Sequence, residues 1–301
     1  MNVKAFTYRD DRGRYYIGVE WEGKRYNFSL LWEYYKQFAA KGKGPSLQFL
    51  QVMVELGFFQ LDTFKEVIET VSSFRSLSDL QLRGTERIDL PVSRPQKVLC
   101  LGRNYKAHAE EWGATVPEEP IIFAKLVSSL TPHDSPIRLP SWPGTVEHEI
   151  ELAVIVGKAG RVHSEKEAWD FVAGYTVAND VTARDLQLAD FNKGWPWLRS
   201  KSFDTFGPLG PVVVPREVFP EPPELNMTLR VNGEVRQQAN TRDMVFGIPR
   251  ILVEISRFAS LTPGDVILTG TPAGTGPLRP GDVVEAEIEG IGVLSNTVVA
   301  E

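Results

Sequence analysis

Three acidic residues have the type and spacing to hold a cation together. In VEHEIELAVIVG (146–157), Glu149 and Glu151 stand two positions apart at the entrance of an unbroken apolar run, Leu152 to Val156. Side chains alternate along a strand, so both carboxylates point to one face. They repel unless water or a cation lies between them. A third acid, Asp180, ends the next strand-like segment, in GYTVANDVTARDLQ. Three hard oxygen ligands on adjacent strand ends suit Mg2+ or a similar ion that keeps waters or takes substrate oxygens. The alternatives are two exposed glutamates on a strand edge and an aspartate capping a helix that opens at VTARDLQ.

A candidate base lies in GRNYKAHAEEWG, where Asn104 can cap a short helix that Gly113 ends. His108 and Glu111 share a face of it at i and i+3. A carboxylate beside an imidazole orients it and raises its basicity, as a general base for water requires. An exposed His–Glu pair is the other reading. In LRSKSFDTFGPLGP, Lys201 sits among small and aromatic residues with Asp204 close by, either held near a site or solvated in a loop. GDVILTGTPAGTG lacks both the P-loop pattern and a G-x-G-x-x-G opening a helix. A strand ending in Thr269, Gly270 and Thr271 can instead offer N–H groups and a hydroxyl to a carboxylate, or form a plain turn.

The elements that must position these groups read as α+β and β-rich. Residues 1–93 form a small unit, with short β segments punctuated by DDRG and EGK and three helical stretches, LLWEYYKQFAAKG, SLQFLQVMVELGF and LDTFKEVIETVSSF. ERIDLPVSRPQ marks a boundary, and from residue 97 to 301 strand-like runs recur with Gly- or Pro-bearing turns. EKEAWDFVA and GIPRILVEISRFA are the main helices there. Without strict βαβ alternation, an antiparallel or mixed sheet is favoured over a doubly wound one. The chain has 301 residues, a net charge of −6 with scattered positive residues, and a single cysteine, Cys100. That composition excludes a basic nucleic-acid footprint and an intrachain disulfide, and no apolar run approaches membrane-spanning length. The expectation is a cytoplasmic protein binding neither nucleic acid nor membrane.

In order, GRNYKAHAEE, IIFAKLVSSL, EHEIELAVIVGK, GYTVANDVTARDLQ, KSFDTFGPLGP, VNGEVRQ, LTPGDVILTGTPAGTG and GDVVEAEIEGIGVLSN resemble the motifs of the fumarylacetoacetate hydrolase (FAH) family, from about Lys97 to the C-terminus. The resemblance implies a catalytic domain built as a mixed β-roll or sandwich, a smaller variable N-terminal α+β domain, and a homodimer. It implies a divalent cation, Mg2+ first, with Mn2+ or Ca2+ as options, on Glu149, Glu151 and Asp180. Arg184, Gln187 and Lys201 then contact the oxygens of a small 2-oxo or diketo acid, while Thr271 and the backbone at Gly270 hold its far end. A lid helix in 103–113, mobile without ligand and helical with it, brings His108 and Glu111 to activate water. With both present, the implied reaction is hydrolysis of a C–C bond in a 2,4-diketo acid of the acylpyruvate type. Lyase or isomerase chemistry at the same metal is the alternative, as in a 2-oxo acid decarboxylase or a 2-hydroxyhepta-2,4-diene-1,7-dioate isomerase. A non-catalytic 2-oxo acid binder is the third.

Overall fold

The structure, a computed structural model, describes residues 3–111, 113 and 115–301. Its N-terminal segment runs through β1 (Lys4–Arg9), β2 (Tyr15–Trp21) and β3 (Lys24–Asn27) into helices α1 (Phe28–Phe38), α2 (Leu50–Glu55) and α3 (Leu61–Ser72). α1 starts where the Asn27 side chain accepts the Leu30 N–H at 3.0 Å, satisfying one of the free donors of a first turn. There follow β4 (Val98–Gly102), α4 (Lys106–Glu111), β5 (Ile121–Lys125), β6 (Ile150–Val156), β7 (Val172–Asn179), α5 (Arg184–Asn192), α6 (Leu198–Lys201) and β8 (Gly207–Pro215). The chain ends with β9 (Asn226–Val231), β10 (Glu234–Asn240), α7 (Ile248–Phe258), β11 (Val266–Leu268), β12 (Val283–Ile288) and β13 (Gly292–Ala300).

The main sheet has the order β3-β2-β1-β8-β7-β6-β11-β4-β5. It is mixed, because β11 and β4 run parallel while β6 is antiparallel to both its neighbours. A second sheet, β10-β9-β12-β13, is extended by the short strand Ile137–Leu139, parallel to β13. Strand β6 explains the apolar run read from the sequence. Leu152, Val154 and Val156 face one core, shared with Met227, Leu229, Ala286 and Leu294 of the second sheet. Ala153 and Ile155 face the other core, built with Phe28, Leu31, Phe64 and Val67 of the N-terminal helices. A strand covered on both faces needs no polar alternation. Each buried Leu, Val or Ile among them contributes about 1.5–3 kcal/mol by leaving water.

The N-terminal strands therefore continue the main sheet, with Ala5 opposite Val213, and their helices cover its back. Two local readings need correction. EKEAWDFVA forms only a single 3-10 turn, Ala168–Phe171, because the chain passes at once into the fully buried strand β7, where pairing overrides helical propensity. Asn104 does not cap α4. Its amide Nδ2 donates to the carbonyls of Phe246 and Thr269 at 3.0 and 2.7 Å, and its Oδ1 accepts from Phe246 N–H at 2.8 Å. The segment expected to act as a lid carries helix α4. Trp112, within the expected lid, lies outside the described residues.

Candidate active site

The acid cluster forms where two antiparallel strands share an edge. Ile150, which opens β6, lies opposite Asn179, which closes β7. Glu149 and Asp180 are the residues just beyond that pair. Their backbones are latched, since Asp180 N–H donates to Glu149 O at 2.8 Å and Glu149 N–H to Asn179 Oδ1 at 2.8 Å. Glu149 interrupts the strand, so Val146–His148 leaves the main sheet and pairs with Thr182–Ala183 and Gly276–Pro277 instead. Glu149, Glu151 and Asp180 are only 3%, 1% and 0% exposed, which rules out a solvated strand edge. One carboxylate oxygen from each lies within 4.8 Å of the others. Asp180 is no helix cap, because α5 opens four residues later with Ala183 in that position.

Such a cluster survives burial only with counter-charge. Lys201 Nζ, from the end of α6, bridges Glu149 Oε2 at 2.7 Å and Asp180 Oδ2 at 2.6 Å. Lys125 Nζ, from the end of β5, donates to Asp180 Oδ1 at 2.7 Å and to the Lys201 carbonyl. Arg184 reaches Glu147 Oε2 at 2.7 Å and Glu149 Oε1 at 2.5 Å. Burial alone would raise the Glu149 carboxyl, but Lys201 and Arg184 outweigh it and hold it well below the usual carboxylate range. Glu151 differs. Among the described residues its Oε2 accepts only the Gly270 N–H, at 2.6 Å, and no cationic side chain pairs with it. Burial first, then Asp180 and Glu149, push its carboxyl well up. Four buried carboxylates thus face three cationic side chains, and the deficit falls on Glu151. Converging hard oxygen donors short of positive charge fit a divalent cation.

Beside the cluster is a cavity of about 260 Å³ whose wall includes His108, Glu149, Arg184, Gln187, Lys201 and Thr271. His108 is 7% exposed and its Nδ1 lies 3.3 Å from Glu111 Oε2. The carboxylate accepts, so Nδ1 carries the proton and Nε2 keeps its lone pair. Burial lowers the imidazole pKa, against the opposing pull of Glu149 and Glu111, so the ring is a neutral base near pH 7. Glu111 is anchored in turn by the Gly274 N–H at 3.0 Å.

The loop after β11 serves the site differently from the expectation. The Gly270 amide is committed to Glu151 rather than directed at a substrate. Gly270 and Gly274 both adopt positive φ, at 98° and 97°. A Cβ there would meet Asn104 or the Arg236 carbonyl, so only glycine lets these amides approach the two carboxylates. Thr271 Oγ1 accepts from Gln237 Nε2 at 2.8 Å. Arg184 donates to Gln187, which joins it on the cavity wall.

Asp204 is exposed in a loop, and the acids beside Lys201 are Glu149 and Asp180. Sequence reasoning missed Lys125, Glu147 and Gln237. Lys125 lies in the motif IIFAKLVSSL, where a lysine closing an apolar strand was the available signal. No helix among the described residues is long and apolar enough to cross a membrane.

Comparison with known proteins agrees with this architecture. The mitochondrial oxaloacetate tautomerase fahd2 of Xenopus laevis is 41% identical over 257 residues, covering 83% of this chain and 78% of the relative. The structure of a fumarylacetoacetate hydrolase from Exiguobacterium antarcticum superposes with a TM-score of 0.78 at 34% identity, over 99% of this chain and 100% of that one. A fumarylpyruvate hydrolase from Pseudomonas aeruginosa, solved in complex with Mn2+ and pyruvate, gives a TM-score of 0.66 at 35% identity over 73% of this chain and 94% of that one. Residues 97–299, which carry every acid and base described above, match the model of the fumarylacetoacetate (FAA) hydrolase C-terminal domain. The chain therefore belongs to the fumarylacetoacetate hydrolase family of enzymes, with a buried Glu–Glu–Asp group that can hold a metal ion.

Proposed function

We propose that this chain is a divalent-cation-dependent keto–enol tautomerase of small 2-oxo acids of the oxaloacetate type. The observation that carries the reading is a neutral imidazole, His108, held by Glu111 on the wall of the same small cavity as Glu149, Arg184 and Lys201. Glu149, Glu151 and Asp180 would hold the cation. When bound, it polarises the 2-oxo group and stabilises negative charge on that oxygen. Arg184 and Lys201 bring positive charge to the same wall and orient the acid's oxygens. In the keto-to-enol direction His108 Nε2 takes one proton from C3, the 2-oxo oxygen gains one from water, and the imidazolium returns its proton to water, so no net proton is consumed. The reverse direction returns the proton to C3. No carbon–carbon bond breaks. Burial of His108 keeps bulk water from competing for its lone pair.

A second reading is supported by the same pair of residues. His108 acting on water rather than on C3 would start hydrolysis of an acylpyruvate, and the fumarylpyruvate hydrolase resembles this chain over 73% of its length. The tautomerase reading stands first because the relative bearing that name covers 83% of the chain at 41% identity. We further propose Mg2+ as the working ion and a homodimer as the working assembly.

The test is a substrate panel with Mg2+: the enol of oxaloacetate followed by its ultraviolet absorbance, and acylpyruvates followed by pyruvate release. The expected result is fast ketonisation of oxaloacetate, with CO2 and pyruvate formed no faster than in a protein-free Mg2+ control. Pyruvate release from an acylpyruvate, with oxaloacetate ketonising only at its spontaneous rate, would move the function to the second reading.

A further inference from the structure

The cationic side chains on the cavity wall are not equivalent. Arg184 is paired with Glu147 and Glu149, and Lys201 with Glu149 and Asp180. Arg103 lines the same cavity, and among the described residues it has no carboxylate within ion-pair distance. Its guanidinium carbon lies 5.8 Å from the centre of the Phe191 ring, and Phe191 also lines the cavity. The surrounding wall is apolar, with Leu101, Phe123, Leu188 and Trp197. Arg103 is half-buried at this wall, and its guanidinium offers five N–H groups in a planar fork.

The backbone at this position is specified rather than incidental. Arg103 has φ +57°, in the left-handed region that few non-glycine residues occupy. The flanking residues are both tightly held. Gly102 packs so closely on Trp197 that a Cβ there would come within 2.8 Å of the indole. Asn104 is fixed by its side-chain hydrogen bonds to Phe246 and Thr269. Held between these two anchors, the residue turns out of β4 onto the cavity wall.

We propose that Arg103 is the specificity-determining residue of the site: it binds the distal carboxylate of a 2-oxo dicarboxylic acid whose 2-oxo carboxylate end faces the acid cluster. This rests on the tautomerase reading for the identity of the reaction, but the preference for a second carboxylate stands on the cavity itself. The cavity has one group for each end of such a molecule. At one end are the acids with Arg184 and Lys201, and along the wall is a bidentate donor without an anion. A 2-oxo monocarboxylic acid of the same length leaves that donor unused.

The experiment compares oxaloacetate with 2-oxobutanoate, which has the same chain length and lacks the distal carboxylate. Affinities for the Mg2+-loaded protein are measured by calorimetry in wild type, Arg103→Asn and Arg103→Lys. Asparagine tolerates the left-handed backbone, so the first variant removes the guanidinium without straining the turn, and thermal melting verifies its fold. Mn2+ affinity, read by electron paramagnetic resonance, reports on the acid cluster independently of turnover. The expected result is a wild-type preference for oxaloacetate on the order of tenfold or more, as a charged hydrogen-bonded pair gives. Arg103→Asn abolishes the preference with 2-oxobutanoate and Mn2+ affinities changed less than about twofold, and Arg103→Lys restores it in part. Equal wild-type affinity for the two acids, or an unchanged preference in Arg103→Asn, would overturn the proposal. A wild-type preference lost in Arg103→Asn, in a protein that does not ketonise oxaloacetate, would uphold it while refuting the tautomerase reading.

Discussion

Lys201 Nζ stands between two buried carboxylates, 2.6 Å from Asp180 and 2.7 Å from Glu149, while Glu151 beside them receives, among the described residues, only a backbone amide. Lys201, with Lys125 on Asp180 and Arg184 on Glu149, compensates that pair and leaves the third acid uncompensated. That asymmetry gives the cluster both a fixed shape and a demand for one more positive charge.

Glu151→Gln should therefore stabilise the metal-free protein while weakening cation binding. The sign follows from the raised carboxyl. The folded state holds the Glu151 proton at pH values where the unfolded chain has released it. Stability is thus present below the unfolded carboxylate value of about 4.3 and is lost as pH rises above it. In EDTA, the melting temperature of Glu151→Gln minus that of wild type should grow from pH 4.5 to pH 8. A difference that is flat or shrinks with pH would refute the uncompensated charge.

Lys125→Met tests the second lysine. Its Nζ ties Asp180 to the Lys201 carbonyl, with side-chain exposures of 0% at both Lys125 and Asp180. Removing one partner of a buried pair costs about 3–5 kcal/mol. Urea denaturation should show that loss in full. A change below about 1 kcal/mol would mean that Lys201 alone suffices for Asp180.

The pH–rate profile reports on His108. Its imidazole is held below the ordinary histidine value of about 6.5. The acid limb of kcat/KM should therefore bend below pH 6.5, with full activity above. His108→Gln should lower kcat by roughly 10²- to 10⁴-fold. An acid limb centred above pH 7 would assign the base to another group.

The proposed dimer has a physical motive. Trp142, Phe191 and Trp195 are 63%, 54% and 51% exposed in segments flanking the site, and Leu126 and Leu198 are 50% and 40% exposed. Exposed apolar groups of this size mark association surfaces when they are contiguous. Light scattering at micromolar concentration should give twice the 33.7 kDa chain mass, and a monomer mass would remove this proposal alone.

Much of the site was legible because strand geometry is periodic. Two glutamates at i and i+2 ahead of an apolar run, and an aspartate at the end of the next strand, predict convergence, and their carboxylates do converge. The His108–Glu111 contact follows from helical spacing in the same way. What escaped is long-range. Lys125 meets Asp180 across 55 positions, and Gln237 meets Thr271 across 34. Neither spacing has a local signature. Gly270 was misdirected for a related reason: its amide was available for a substrate only until Glu151, 119 positions away, took it. In the fold, the boundary expected near residue 93 does not interrupt the main sheet, which β1 continues through β8. Sheet continuation depends on an unpaired edge that no single segment reveals.

The most direct test of the central claim follows the C3 protons of oxaloacetate in D2O by NMR, with Mg2+, with EDTA, and with His108→Gln. The account predicts exchange at C3 that is fast with Mg2+, collapses in EDTA and falls at least about 10²-fold in His108→Gln, with CO2 released no faster than without protein. Exchange that is equally fast in EDTA, or unchanged in His108→Gln, would contradict it.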